Sequence, residues 1–381
     1  MKKIVVLLIA SFFISQFAEA QGVTLPPSGA NQKSVAVQYI GALAHVKIKY
    51  YSPDVTNPRG ESRKGKIWGE LVPYGMQNLS FGLSSDKNLS PWRAGANQNT
   101  TITFSHDVTV QGKALSAGTY GFHIIPRKEG TWTLIFSKNT SAWGSYYYEE
   151  KDDALRVETT PTATNFTEWL TYEFIDRQTN SCTVALKWDE LAIPFKVEIP
   201  NIHDVYISNF KKELQSTAGF SWQGWQQAAN YCINNKTHLE QGLEWANNSI
   251  NLPFGGQRNF TTLQTKSTLL KMLDKKKEAN KVMKEAIKEP TATIFQIHGY
   301  GRQLIIQGKK KDALEIFKYN KERFGDVWPV NVGLARGYSA VGKYKKALKY
   351  CKKAHKRAPN KVNKDGLAAS IEKLKKGEDI N

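Results

Sequence analysis

One pattern near the C-terminus constrains this chain more than any other feature. Gly301, Leu304, Gly308, Ala313, Phe317 and Asn320 recur 34 positions later as Ala335, Tyr338, Gly342, Ala347, Cys351 and Ala354, and Pro359 closes the second unit. Small residues at 301/335 and 313/347 let two antiparallel helices approach, and the large ones at 304/338 fill the space beside them. Such a helix pair cannot bury its faces alone, so copies must stack. The clearest copies span about 294–327 and 328–361. Subtracting the period once more gives Leu270, Ala279, Met283 and Ala286, a weaker third copy, and an irregular unit is expected at about 222–252. Pro253, Gly255 and Gly256 mark the loop between them.

This period and its small–large alternation resemble the tetratricopeptide repeat. The resemblance implies an α-helical solenoid over residues 201–381, with a surface that holds a protein partner. Upstream, Asp204 is expected to cap a helix running from Val205 to about Gln215, and Trp222–Ile233 reads as a further helical run. The formal net charge of +19 is concentrated in this part of the chain: residues 264–381 hold 29 Lys/Arg against 12 Asp/Glu. Lys343, Lys345, Lys346, Lys349, Lys352, Lys353, Lys356 and Arg357 are its densest run. Aromatic residues rarely interleave with these lysines, so a nucleic-acid platform is not expected. An anionic envelope polymer or lipid surface fits the charge, and a solvated lysine face fits it equally.

The preceding part alternates with period two. Candidate strands are Val35–Tyr39, Val46–Tyr50, Leu79–Leu83, Thr100–Phe104, Gly118–Ile125, Trp132–Phe136, Trp169–Ile175 and Cys182–Trp188. Gln111-Gly112 marks a tight turn, and 176–181 a hairpin loop. Eight to ten short strands without an intervening amphipathic helix predict an antiparallel β-sandwich over residues 35–200. The expected fold class is therefore β plus α: an antiparallel sandwich followed by a helical solenoid.

The most distinctive text is Pro91-Trp92-Arg93-Ala94-Gly95-Ala96-Asn97, leading through Thr100-Thr101-Ile102 to Ala117-Gly118-Thr119-Tyr120-Gly121. With Arg63–Gly75, Trp132–Phe136, Trp143-Gly144 and Leu155-Arg156-Val157, it resembles DUF2911, an uncharacterised secreted domain of Bacteroidetes, over about residues 35–198. In that family Pro-Tyr-Gly leads almost directly into Trp-Arg, whereas here Met76–Ser90 lies between Gly75 and Pro91. The resemblance carries no activity with it.

Candidate binding residues are Arg63, Trp92, Arg93, Asn97, His123 and Trp143. The Arg93 guanidinium is a planar fork suited to carboxylate or phosphate, and Trp92 and Trp143 are placed to flank a sugar or another flat ligand. Equally, Asn97 could bond its own backbone in a turn while Arg93 pairs with a nearby acid. Arg59, Arg63, Lys64 and Lys66 form either an anion pocket or a solvated loop. His106 and His123 could meet if their strands pair, but a metal site needs a third ligand. Glu149, Glu150, Asp152 and Asp153 lack EF-hand spacing. No metal signature, nucleophile elbow or dinucleotide fingerprint occurs, so neither cofactor nor catalytic residue is named.

Residues 1–20 read as a signal peptide, with Lys2-Lys3, an apolar run from Ile4 to Ile14 and Ala18-Glu19-Ala20. Residues 21–34 read as a leader. Secretion, and periplasmic residence, is the expectation. No later apolar run is long enough to span a bilayer. Cys182, Cys232 and Cys351 are too few for a disulfide framework, and Cys351 sits where a helix wants a small buried residue. The expected function is non-enzymatic binding or scaffolding, with a protein on the repeats and a small or carbohydrate-like ligand in the β domain. A metal-dependent or hydrolytic enzyme seated in the β domain is the alternative.

Overall fold

The computed structural model describes residues 31–381, which divide into two compact units after Val205. The expected signal peptide and most of the leader lie outside the described residues. Gln32–Ser34, expected as leader, already belong to the first strand.

Among the described residues the first unit holds ten strands in two antiparallel sheets. The six-stranded sheet runs in the order β1 (Gln32–Ile40), β2 (Ala44–Ser52), β3 (Thr101–Phe104), β6 (Gly118–Ile125), β7 (Trp132–Ser137), β8 (Asp153–Thr159). The other runs β5 (Lys113–Leu115), β4 (Val108–Val110), β10 (Ser181–Glu198), β9 (Thr162–Ile175). Period two decides what is buried. Val46, Ile48 and Tyr50 of β2 point inward, with Lys47 and Lys49 on the other face. Ile48, Ile102, Phe104, Phe122 and Phe136 meet Val184, Leu186, Phe195 and Val197 in one core. Each such side chain contributes about 1.5–3 kcal/mol by leaving water. β10 bends at Asp189, whose φ is +53° and where the pairing with β9 shifts, and its far end pairs with β4.

Two strand expectations change. β1 forms, but Val35, Val37 and Tyr39 are 54%, 47% and 57% exposed. They face outward beside Lys49, Lys47 and His45 of β2, because β1 is the edge strand and turns Ala36 toward the core. Alternation gives a strand its two faces but not which one is covered. Leu79–Leu83 is not a strand. Ser80 and Gly82 have φ of +53° and +64°, outside the extended region. The segment belongs to an excursion whose base is closed by Gln77 and Ser90 exchanging N–H···O bonds of 2.9 and 2.8 Å. That closure brings the chain leaving Gly75 back to Pro91, so the inserted residues loop out.

The helices are α1 (Ile202–Glu213), within which the division falls, then α2 (Trp222–Asn235), α3 (Leu239–Asn251), α4 (Phe260–Met272), α5 (Lys276–Lys288), α6 (Ile294–Ile306), α7 (Lys310–Phe324), α8 (Trp328–Ala340), α9 (Tyr344–Lys356) and α10 (Lys361–Lys375). Asp204 lies within the first turn of α1 instead of capping it, where its charge still favours the helix dipole. α4, α6 and α8 start 34 residues apart, and so do α5, α7 and α9. The copy that is weakest in sequence is as regular as the others. Asp274, Gly308 and Gly342 all turn the corner with φ of +61°, +76° and +73°. The next amides, of Lys275, Lys309 and Lys343, donate to the carbonyls of Leu270, Leu304 and Tyr338 at 2.8–2.9 Å. An aspartate tolerates this left-handed position, which is why the corner survives without glycine. Among the described residues no helix is long and apolar enough to cross a membrane.

Candidate functional site

A cavity of about 430 Å³ opens in the first unit, lined by Pro91, Trp92, Arg93, Gly95, Ala96 and Asn97 together with Asp54, Arg63 and Pro73. Trp92 is fixed by exchanging two 2.9 Å backbone hydrogen bonds with Ile124, so the motif continues the sheet beside β6 where β3 has not yet begun. Its ring stacks on Trp188 at 6.3 Å and meets Trp68 edge-on at 5.5 Å. The following turn is held in a demanding shape. Ala94 and Asn97 have φ of +51° and +55°, and the Ala94 carbonyl accepts from Thr100 Oγ1 (3.2 Å) and Tyr172 OH (2.8 Å). Non-glycine residues adopt this region only when the surroundings over-determine it.

That turn positions Arg93. Its Nη1 donates to the Asn97 carbonyl at 2.7 Å, and its guanidinium lies 5.2 Å from the centre of the Tyr146 ring. Among the described residues no carboxylate forms an ion pair with it. A guanidinium has five N–H donors, and the bond to the Asn97 carbonyl uses one of them. Asn97 thus contributes its backbone oxygen, and the nearby acid considered for Arg93 is replaced by a carbonyl and an aromatic face.

His123 is 2% exposed, and its Nδ1 lies 3.0 Å from Ser145 Oγ, on the cavity wall. Burial, and then the Arg93 charge, push its pKa down to about 3, so it is neutral at physiological pH. Arg63 behaves differently from Arg93. It donates to the carbonyls of Val55 (3.0 Å) and Asp54 (2.9 Å) and pairs with the Asp54 carboxylate at 3.7 Å. Lys64 turns away to Glu190 at 3.0 Å, so the basic loop forms no common anion pocket.

Trp143 does not join the site. It is 53% exposed and borders a separate depression with Lys49, Tyr51 and Gln98. His106 and His123 do not meet either: the β3–β6 ladder runs from Thr101↔Gly121 to Phe104↔Gly118, leaving the two histidines past opposite ends. The acidic run is engaged by its chain neighbours, with Asp153 taking Arg156 at 2.6 Å and the Tyr148 hydroxyl at 2.9 Å. Among the described residues no cluster of three or more His, Cys, Asp or Glu could hold a metal. Ser145, Tyr146 and Trp188 were not singled out from sequence. The only sequence signal for the first two is their position just after Trp143-Gly144.

The second unit presents a different kind of surface. On α6, Phe295 and Ile306 are 62% and 83% exposed, and Arg302 lies between them on the same side of the helix. The opposite side of α6 is packed through Ile297, Gly301 and Leu304. Arg302 and Arg336 occupy equivalent positions in successive repeats. Both charges act on His298, which burial first and then these arginines push down to about 4. α9 turns Lys345, Lys346, Lys349, Lys352 and Lys356 outward.

Residues 31–197 match the family described as protein of unknown function (DUF2911). No curated protein matches the chain. Among solved structures it is similar to YrrB, described as a TPR protein with an unusual peptide-binding site, with 17% identity over 45% of this chain and 84% of that one and a TM-score of 0.30. It is likewise similar to a thermophilic TPR protein of Thermus thermophilus, with 16% identity, 45% and 90% coverage and a TM-score of 0.30. A tetratricopeptide repeat protein from Parabacteroides merdae gives 16% identity, 47% and 69% coverage and a TM-score of 0.30. The 34-residue register of the chain's own helices identifies its repeats independently of these neighbours. The chain therefore carries a DUF2911 domain over residues 31–197, followed by tetratricopeptide-like helical repeats.

Proposed function

We propose that this is a non-enzymatic binding protein that holds a protein partner on the first-helix face of its repeats. The observation that supports this best is the exposure of Phe295 and Ile306 on one side of a helix packed on its other side. Large exposed apolar side chains flanking an arginine are the composition of an interface centre. The lysines of α9 offer a second, salt-sensitive surface to an anionic envelope polymer or lipid. The signal peptide expected at 1–20 would place both in the periplasm. The β cavity, with an arginine unpaired by any carboxylate, suits a small ligand bearing a carboxylate or phosphate. A hydrolytic role is less favoured, since a histidine that takes up its proton near pH 3 is a weak general base at neutral pH.

The test is capture from native envelope extract by the immobilised full chain, at low and high salt. A defined protein retained at both salts and lost with Phe295→Ala/Ile306→Ala supports the reading. Capture that disappears with salt and ignores the double substitution overturns it in favour of a polyanion surface.

A further inference from the structure

The depression beside Trp143 is assembled by the register of the six-stranded sheet. Residues opposite one another in a ladder share a face, and so do residues two apart on a strand. On the outer face Lys33 of β1 stands opposite Tyr51 of β2. In the next row Val35, Lys49, Thr101 and Gly121 follow one another across β1, β2, β3 and β6. One row further, the Oγ1 atoms of Thr103 and Thr119 lie 2.8 Å apart.

Gly121 leaves a gap in its row, and the chain after β7 uses it. A Cβ on Gly121 would strike the Asn139 carbonyl and lie 2.6 Å from Asn99 Nδ2. Without one, the Asn139 carbonyl accepts from Asn99 Nδ2 at 3.1 Å, and Asn139 Oδ1 accepts from the Ala142 amide at 3.2 Å. This pinned turn carries Trp143, 53% exposed, to the edge of a depression of about 390 Å³ whose lining includes Lys33, Lys49, Tyr51, Gln98 and Asn99.

The chemistry of that lining is one-sided. It holds two lysines and, among the described residues, no carboxylate. Tyr51 donates its hydroxyl to Gln98 Oε1 at 3.2 Å. Asn99 is 8% exposed, and with its Nδ2 given to Asn139 its buried Oδ1 meets no donor. A buried acceptor left unpaired calls for a partner, and a hydroxyl arriving from the depression would supply one. An indole face suits the C–H face of a pyranose, amides and hydroxyls suit its hydroxyl groups, and lysines suit a carboxylate. A simple anion would leave Trp143 and the amides idle, and a neutral sugar would leave the lysines idle.

We propose that this depression is a second ligand site of the β unit, separate from the Arg93 cavity, and that it takes a saccharide carrying a carboxylate: a hexuronic acid or an oligomer of one. The inference does not depend on the protein-binding reading of the repeats.

The probes are trimers of galacturonate and of mannuronate and a hyaluronan tetrasaccharide, with cellotriose as the neutral control. Each is titrated into the full chain and followed by saturation-transfer difference NMR. At least one uronate is expected to bind, with its ring C–H protons saturated most strongly, and cellotriose to bind at least roughly tenfold more weakly. Trp143→Ala should weaken the uronate at least roughly tenfold, as loss of an aromatic anchor does. Lys33→Gln/Lys49→Gln should reduce it to the level of cellotriose. All three side chains are exposed, so these variants should keep the circular dichroism of the wild type. In the unaltered chain the uronate should also shift the Trp143 indole N–H resonance; binding that leaves this resonance unmoved overturns the proposal. No uronate bound at millimolar concentration, cellotriose bound as tightly as the uronates, or undiminished binding to Trp143→Ala overturns it as well. A uronate lost with Arg93→Ala but kept by Trp143→Ala belongs to the other cavity, and one lost only with Lys349→Gln/Lys352→Gln belongs to the α9 lysines; either result overturns the proposal.

Discussion

Gly144 and Arg93 fit together only because Gly144 has no side chain: a Cβ there would lie 2.5 Å from Arg93 Nη1 and 2.6 Å from its Cζ. Gly144 also sits at φ +58°, where a side chain adds strain of its own. Gly144→Ala should therefore displace the guanidinium from the Tyr146 ring and lower stability by about 1–3 kcal/mol. Urea denaturation reads the loss. A variant as stable as wild type would mean that the arginine is not held where it is found.

The repeats offer a paired test on the equivalent first helices of two successive copies. Phe317 of α7 is completely buried against three glycines. A Cβ on Gly301, Gly333 or Gly337 would lie 2.6, 2.6 or 2.7 Å from its ring. Gly299, also in α6, has nothing within 4 Å of its would-be Cβ. Gly333→Ala is expected to destabilise by about 1–3 kcal/mol through overpacking. Gly299→Ala should stabilise by up to about 1 kcal/mol, because glycine is a poor helix former. Thermal melts of the two variants must move in opposite directions.

Acid should weaken the first unit through His123. Its folded pKa is about 3, below the ordinary value of 6.5, so the unfolded chain takes the proton first. Its share of stability is intact above pH 6.5 and is lost as pH falls toward 3, reaching roughly 4 kcal/mol over that window. His298 acts in the same direction between 6.5 and about 4. His123→Gln should be less stable at pH 7, having lost the Ser145 contact, yet show a shallower decline in denaturation midpoint between pH 6.5 and 4. An unchanged slope would remove His123 from the account.

Cys182, Cys232 and Cys351 are buried and unpaired, and burial pushes each thiol up to about 11. A thiol reagent at pH 8 should label none of them in the native chain and all three in denaturant, because the thiolate is the reactive form. Rapid native labelling at any one would show that its helix or strand opens readily.

Much of this architecture was legible in the residues alone, because it depends on local rules. The 34-residue spacing of small and large side chains dictated stacked helix pairs, and period two dictated most of the strands. What those rules leave open is which neighbour covers a face. Val35, Val37 and Tyr39 alternate like a buried row, yet lie outward because β1 is at the sheet edge. Trp92 and Trp143 looked like two walls of one site, but Trp92 is locked to Ile124 while Trp143 borders a different depression. The same limit applies to Arg93, whose partners come from a carbonyl four residues on and a ring more than fifty residues on. Backbone propensity and side-chain periodicity act over a few residues and are written in the sequence. Long-range juxtaposition depends on how whole sheets and helices close on one another, and so only the tertiary structure decided which groups share the cavity.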